Sequence, residues 1–403
     1  MRGYLFAVVT LAFVASSTHA QVSIPESANL KGLPNTPEQL FLRGPLRFGP
    51  HQLGDATFQQ LLSQVPKLRT LHAIGFGFTD RVLESIGKLD ALEELDLEGN
   101  AFTGDGLRHL VGLKKLRRLN LNGNAIRADA FETLAKLSYL TSLSVREHGL
   151  VTDRVLEHCG KLVQLQELHL SQDTSPVTDK GVAHLGNLKQ LRNLSLMKSG
   201  KLTDAGLAQI AKFSQLRELS LLYLKSTTPG GLTVLGNLTE LRALEIVFVP
   251  MNEESVRALG KCQKLEHLRL TMVSKEPIAL EGLAELRSLQ VNRPMSSETI
   301  RSLAQRKHLE KLVLQTVAIT DEDLTHLARL SKLQWLELDS DRITAASLPT
   351  LASMKALRVL YTTGKARISP EQWTALGQDS LPECLIARPN PPFANYHLPK
   401  RYR

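Results

Sequence analysis

The sequence predicts an α/β solenoid, with a curved parallel sheet on its concave face and helices on its convex face. Three observations carry this expectation. One frame of roughly 24–26 residues recurs in about fourteen copies. Each copy holds two hydrophobic periods, one of helical and one of strand spacing. The apolar residues, 42% of the chain, are dominated by leucine above any other type, and aromatics make up only 5%. A core built from one aliphatic residue type implies repetition.

Residues 1–20 read as an export signal. Arg2 supplies the positive start and Tyr4 to Ala15 the apolar run. Thr18 and Ala20 supply small residues before a cleavage site. A bilayer span takes about 20 apolar residues, so a membrane contact is expected only if this segment stays uncleaved. The expected location is secreted or periplasmic. Residues 21–52 carry Pro25, Pro34, Pro37, Pro45 and Pro50 and lie outside the repeated frame. Terminal repeats of a solenoid expose their last apolar layer unless covered, so this flank is expected to act as a cap.

The repeats occupy residues 53–386. Residues 78–101 read FTDRVLESIGKLDALEELDLEGNA and residues 102–125 read FTGDGLRHLVGLKKLRRLNLNGNA. The frame returns clearly at Val177, Leu202 and Ile319, and a shortened copy starts at Lys275. Val82, Leu83, Ile86 and Leu89 lie three or four apart, which marks one face of a helix. Leu92, Leu95 and Leu97 end in strict alternation, which marks a short strand. Asp80, Asp153, Asp179, Asp204 and Asp321 each follow a threonine just before the helical face, and are expected to cap it. One strand-and-helix unit cannot bury its apolar face alone. Stacking closes the face, at about 1.5–3 kcal/mol for each large side chain buried. Residues 387–403 are proline-rich and basic (Lys400, Arg401, Arg403) and read as a second cap.

The core L-x-x-L-x-L-x-x-N stands at Leu92-Leu95-Leu97-Asn100 and at Leu116-Leu119-Leu121-Asn124. With the longer T-D-x-G-L frame, it resembles the leucine-rich-repeat family. It is most similar to the cysteine-containing, F-box-type subgroup that also occurs in exported bacterial proteins. The resemblance implies a fold that binds other molecules on its concave face. The chain departs from the pattern at Leu224, Val249, Val273 and Val317, which replace the inward asparagine. Cys159, Cys262 and Cys384 fall in separate copies, and Cys262 replaces a repeated leucine. They read as small buried residues rather than a disulfide framework.

No H-E-x-x-H, C-x-x-C, G-x-S-x-G or Gly-rich phosphate loop occurs. No catalytic residue, cofactor site or metal site is therefore expected. Glu94, Asp96 and Glu98 alternate along one strand, where they hold either a cation, a basic partner loop, or simply water. Binding residues are more legible. The outward strand positions begin polar, with Arg146, Glu167 and His169 among them. They turn apolar at Met197, Leu222, Tyr223, Val247, Phe248 and Met272. Such a run is the raw material of a protein interface, unless irregular loops cover it. Arg69, Arg117, Arg192, Arg217, Arg242, Arg287 and Arg358 follow the same repeated leucine. Of these, Arg192, Arg217 and Arg242 form a candidate rim for an anionic ligand, in keeping with a net charge of +9. Nucleic acid is excluded by the lack of aromatic stacking platforms and by export.

The expected function is a non-catalytic protein–protein interaction scaffold of the bacterial envelope or extracellular space, binding an unidentified protein through the concave face. Two alternatives remain open: an anionic glycan or polymer binder using the arginine rim, and an F-box-like ubiquitin-ligase adaptor suggested by fold analogy alone.

Overall fold

The computed structural model describes residues 20–21, 38–44, 53–146, 151–171, 175–197, 199–271, 280, 282–292, 295–315, 319–339, 341–363 and 367–387. The signal segment before Ala20, most of the N-terminal flank, the start of the shortened copy and the C-terminal tail after Ala387 lie outside these residues. The chain divides into two compact units, Met1–Thr227 and Thr228–Arg403.

In the first unit, parallel strands follow one another in chain order. They are β1 (Ala20–Gln21), β2 (Gln39–Arg43), β3 (Thr70–Ile74), β4 (Glu94–Asp96), β5 (Arg118–Asn120), β6 (Ser142–Arg146), β7 (Glu167–Ser171), β9 (Asn193–Met197) and β11 (Glu218–Leu222). A separate parallel pair, β8 (Ser175–Thr178) with β10 (Ser199–Lys201), lies between them in sequence. The register aligns Leu71, Leu95, Leu119, Leu143, Leu168, Leu194 and Leu219 in one row. All seven are buried, as the alternation of each strand requires. The sheet starts earlier than the repeat frame does. Strand β2 lies in the proline-rich flank and buries Leu40 and Leu42 against β3.

The second unit repeats the arrangement with β12 (Ala243–Val247), β13 (His267–Thr271), β14 (Ser288–Val291), β15 (Lys311–Leu314), β16 (Trp335–Asp339), β17 (Val359–Thr363) and β18 (Leu385–Ala387), all parallel. Leu244, Leu268, Leu289, Leu312, Leu336 and Leu360 form its buried row.

Between strands the chain crosses back through short helices, such as Asp153–Cys159 and Asp204–Ile210 in the first unit and Glu253–Leu259 and Asp321–Leu327 in the second. Val82, Leu83, Ile86 and Leu89 are all buried, yet the segment winds as one 3-10 turn and one α turn. In the next copy only a 3-10 segment, Leu107–Leu110, forms. There Gly104 holds a positive φ of 106° where other copies place the first helical aspartate, so the turn cannot start as an α-helix.

The aspartates do something other than cap their own helices. The cap is the preceding threonine: Thr79, Thr152, Thr178, Thr203 and Thr320 each accept a first-turn backbone N–H. The aspartate reaches instead to the following repeat. Asp55 accepts from the amide and hydroxyl of Thr79, Asp153 from those of Thr178, Asp179 from those of Thr203, and Asp321 from those of Thr344. The threonine side chain thus donates to the previous repeat and accepts from its own turn, both through one hydroxyl oxygen. Asp80 adds the amides of Gly104 and Gly106 to those of Thr103. Burial pushes its pKa up, but the Thr103 hydroxyl and these amides outweigh it and hold the carboxyl below the ordinary aspartate value.

The asparagines tie repeats in the same way. Asn124, 1% exposed, accepts from the amide of Phe102 and donates to the carbonyls of Leu97 and Leu121. Asn100 does the same one repeat earlier, with Phe76, Phe78, Ala73 and Leu97. Cys159 and Cys262 are buried free thiols. Burial pushes them up to about 12 and about 11.

Candidate functional site

Alternation turns the first, third and fifth residues of each strand away from the leucine rows, and this strand face is where the sequence placed binding. At the N-terminal end of the first unit the face is polar and internally paired. Glu94 bonds His72 at 2.8 Å and also pairs with Arg118. Asn120 donates to Glu98 at 3.2 Å, and Asp96 accepts the Glu98 amide at 3.0 Å. Burial opposes ionisation of Glu94, but Arg118 and His72 overcome it and its pKa falls below the usual carboxylate value. Asp96 has no such cation in contact, and burial raises its pKa. Among the described residues no group of three His, Cys, Asp or Glu is placed to hold a metal ion. The acidic trio is therefore matched largely by its own neighbours.

The apolar set divides between the two units. In the first, Met197 ends β9 with its backbone opposite Leu222, and Leu222 and Tyr223 are part-exposed. In the second, Phe248 is 41% exposed, whereas Val247 is only 5% exposed and is withdrawn from the surface. Val247 sits in an outward strand position, so burial there is a departure from alternation that sequence period alone does not reveal. Met272 lies outside the described residues.

Tyr223 and Phe248 share a property that the sequence did not reveal. Both have positive φ, 58° and 54°, and among the described residues they are the only non-glycines that do. Each stands four residues after the first core leucine of its strand. In three earlier repeats of the first unit that position is Gly75, Gly99 and Gly123, with φ of 76°, 69° and 63°. At these five exits the backbone is left-handed, whereas Gly44, in the same column after β2, is not; glycine adopts the conformation without strain. A bulky L-residue there costs about 1–2 kcal/mol, which the fold bears at two aromatic side chains turned to the strand exits. In sequence the column reads Gly44, Gly75, Gly99, Gly123, Glu147, Gln172, Lys198, Tyr223 and Phe248, so the pattern alone does not single out the two aromatics.

The arginine rim separates into paired and unpaired members. Arg69 bonds Glu93 and Glu38, Arg242 pairs with Glu266, Arg287 with Glu266 and Glu310, and Arg358 with Glu383. Arg117 lies over the Tyr139 ring, 5.4 Å from its centre. Arg192 and Arg217, at adjacent strand starts in the first unit, are exposed and have no ion pair among the described residues. Sequence reasoning grouped Arg242 with these two, but its charge is already met by Glu266.

Residues 205–369 match the family model described as a leucine-rich repeat region. No curated protein matches the chain. Among solved structures, an internalin from Listeria monocytogenes aligns with a TM-score of 0.58 at 20% identity, covering 84% of this chain and 89% of that one. A leucine-rich-repeat protein from Leptospira interrogans aligns with a TM-score of 0.51 at 20% identity, covering 87% of this chain and 89% of that one. At such identity the likeness is one of fold. It is the fold of leucine-rich repeats.

Proposed function

We propose that this leucine-rich-repeat solenoid is an exported, non-catalytic scaffold that binds a protein partner through its strand face. The observation that carries the reading is the pair of strained aromatics. Tyr223 and Phe248 occupy backbone positions that glycine would fill at lower cost, and strain retained at exposed aromatics is a mark of contact residues. Leu222 extends the apolar contact in the first unit. The signal segment at 1–20 supports export to the envelope or the extracellular space.

The test is affinity capture from the native envelope fraction with the mature chain, at low and high salt, identified by mass spectrometry. Partners are expected with the wild type and lost with Tyr223→Ala or Phe248→Ala. Undiminished capture by both variants would sink the reading. A second reading, an anionic glycan binder, draws on Arg192 and Arg217 alone. It predicts salt-dependent retention on an anionic glycan column that Arg192→Gln with Arg217→Gln abolishes.

A further inference from the structure

The first unit contains a part-buried cation that meets no counter-charge among the described residues. Arg146 ends β6 and His169 is the third residue of β7. The register pairs Ser144 with His169 and Arg146 with Ser171, so Arg146 and His169 are diagonal neighbours across strands roughly 5 Å apart. Leu143, Val145, Leu168 and Leu170 point into the core, which puts Ser144, Arg146 and His169 together on the strand face. Both charged-capable side chains are part-buried.

The side chain of Arg146 makes no hydrogen bond or ion pair with any described residue, and its Nε is shut off from solvent. The Nδ1 of His169 is likewise buried without a partner. The strand around them is firmly held. The Asn122 carboxamide oxygen accepts from the Ser144 hydroxyl at 2.8 Å and from the Arg146 amide at 2.9 Å. A guanidinium has five donors and is never deprotonated, and a part-buried cation with none of them used is costly unless something else meets it. On the strand face of each unit an arginine is met by an acid one strand earlier: Arg118 by Glu94 in the first and Arg269 by Glu245 in the second. Arg146, part-buried, has no such acid among the described residues.

We propose that Arg146 and His169 form a receptor for a carboxylate, presented by the protein partner that the preceding reading requires. A carboxylate matches the guanidinium fork with two oxygens, and a protonated His169 adds a further donor. A single negative charge is the better complement. Glu167 lies two residues before His169, its carboxylate accepting from the Ser142 hydroxyl at 2.8 Å, so a dianion would meet repulsion there. The charged groups around His169 are Arg146 on β6 and Glu167 on its own strand, while β9 contributes Asn193 and Ser195. Burial and Arg146 both disfavour the imidazolium in the free protein, and a bound carboxylate reverses the second effect.

The experiment follows the His169 ring by NMR in the full chain, assigned with His169→Gln, while pH is titrated. Formate, ionised throughout, replaces chloride at constant ionic strength. Formate is expected to raise the His169 midpoint by about 0.5 unit or more, a threefold or greater preference for the protonated form. The shift is expected to vanish in Arg146→Gln and to shrink at least by about half in Arg146→Lys, which keeps the charge but not the fork. An unmoved midpoint, a shift that survives in Arg146→Gln, or a larger shift from sulfate would overturn the proposal. Failure to capture any partner while formate still acts on His169 would refute the scaffold reading and leave the anion receptor standing.

Discussion

Asp80 and Thr103 belong to successive repeats, and one carboxylate oxygen of Asp80 accepts both the amide and the hydroxyl of Thr103, at 2.8 and 2.7 Å. The bond crosses the seam between two units of the repeat, so it holds the stack together rather than one helix. Asp80→Ala removes the acceptor for part-buried donors and is expected to cost about 1–3 kcal/mol in urea unfolding. A role in capping alone would cost nothing here, because Thr79 is the cap.

The same tie gives stability a definite pH dependence. The carboxyls of Asp80 and Asp321 are held below the ordinary aspartate value; burial opposes this, and hydrogen bonds prevail, first from Thr103 and from Ser347 respectively. A group with a lowered folded pKa contributes fully above its unfolded pKa, about 3.9, and loses that contribution as pH falls through the folded pKa. The urea midpoint is therefore expected to drop in the acid range. In a doubly substituted Asp80→Asn, Asp321→Asn chain the drop is smaller; an identical acid slope would contradict the assignment.

Tyr223→Gly and Phe248→Gly separate strain from contact. Each relieves a left-handed L-residue while loosening the unfolded chain, so melting is expected to stay within about 1 kcal/mol of wild type. Partner capture should nevertheless fall as it does for the alanine variants. A large loss of stability in the glycine variants would mean that the aromatics serve the core.

Gly160 marks how closely the repeats approach. A Cβ there would lie 2.2 Å from the carbonyl oxygen of His184 in the following repeat. Gly160→Ala is expected to destabilise by about 1–3 kcal/mol, since backbone cannot yield as a flexible side chain does. Thermal unfolding is the measurement; a neutral result would show that the two repeats can part freely.

The thiols should be silent in the native state. Burial pushes Cys159 up to about 12 and Cys262 up to about 11, leaving almost no thiolate at neutral pH. A thiol reagent followed by mass mapping is expected to modify neither until denaturant is added. Rapid native labelling of Cys262 would mean that the space beneath Leu235, whose carbonyl its sulfur meets at 3.5 Å, is open.

Much of the fold was legible because it is written in periods. Leu95 and Leu119 predict a buried row, and the register of β4 with β5 places them side by side. What the periods could not convey is which polar groups meet across the seams. Asp153 looks like any helix cap until the next repeat brings Thr178 to it. Arg217 and Arg242 are alike in sequence, but among the described residues only Arg242 of the two meets an acid, Glu266. Val247 stands in an outward position by alternation, yet it is covered. The aromatic strand exits were read as apolar surface, while their backbone strain depends on φ, which the sequence column does not single out.

The aspartate ties also have a direction. In each one the carboxylate belongs to the earlier repeat and the donors to the later one, as with Asp153 and Thr178 or Asp179 and Thr203. A chain emerging from synthesis in N-to-C order thus presents each arriving threonine with an acceptor already fixed on a finished turn. Growth of the stack is templated from behind, and a fragment cut at its C-terminal side forfeits only the last tie. A fragment lacking its N-terminal repeats instead leaves its first threonine without the carboxylate that would have received it, as Thr178 would be without Asp153.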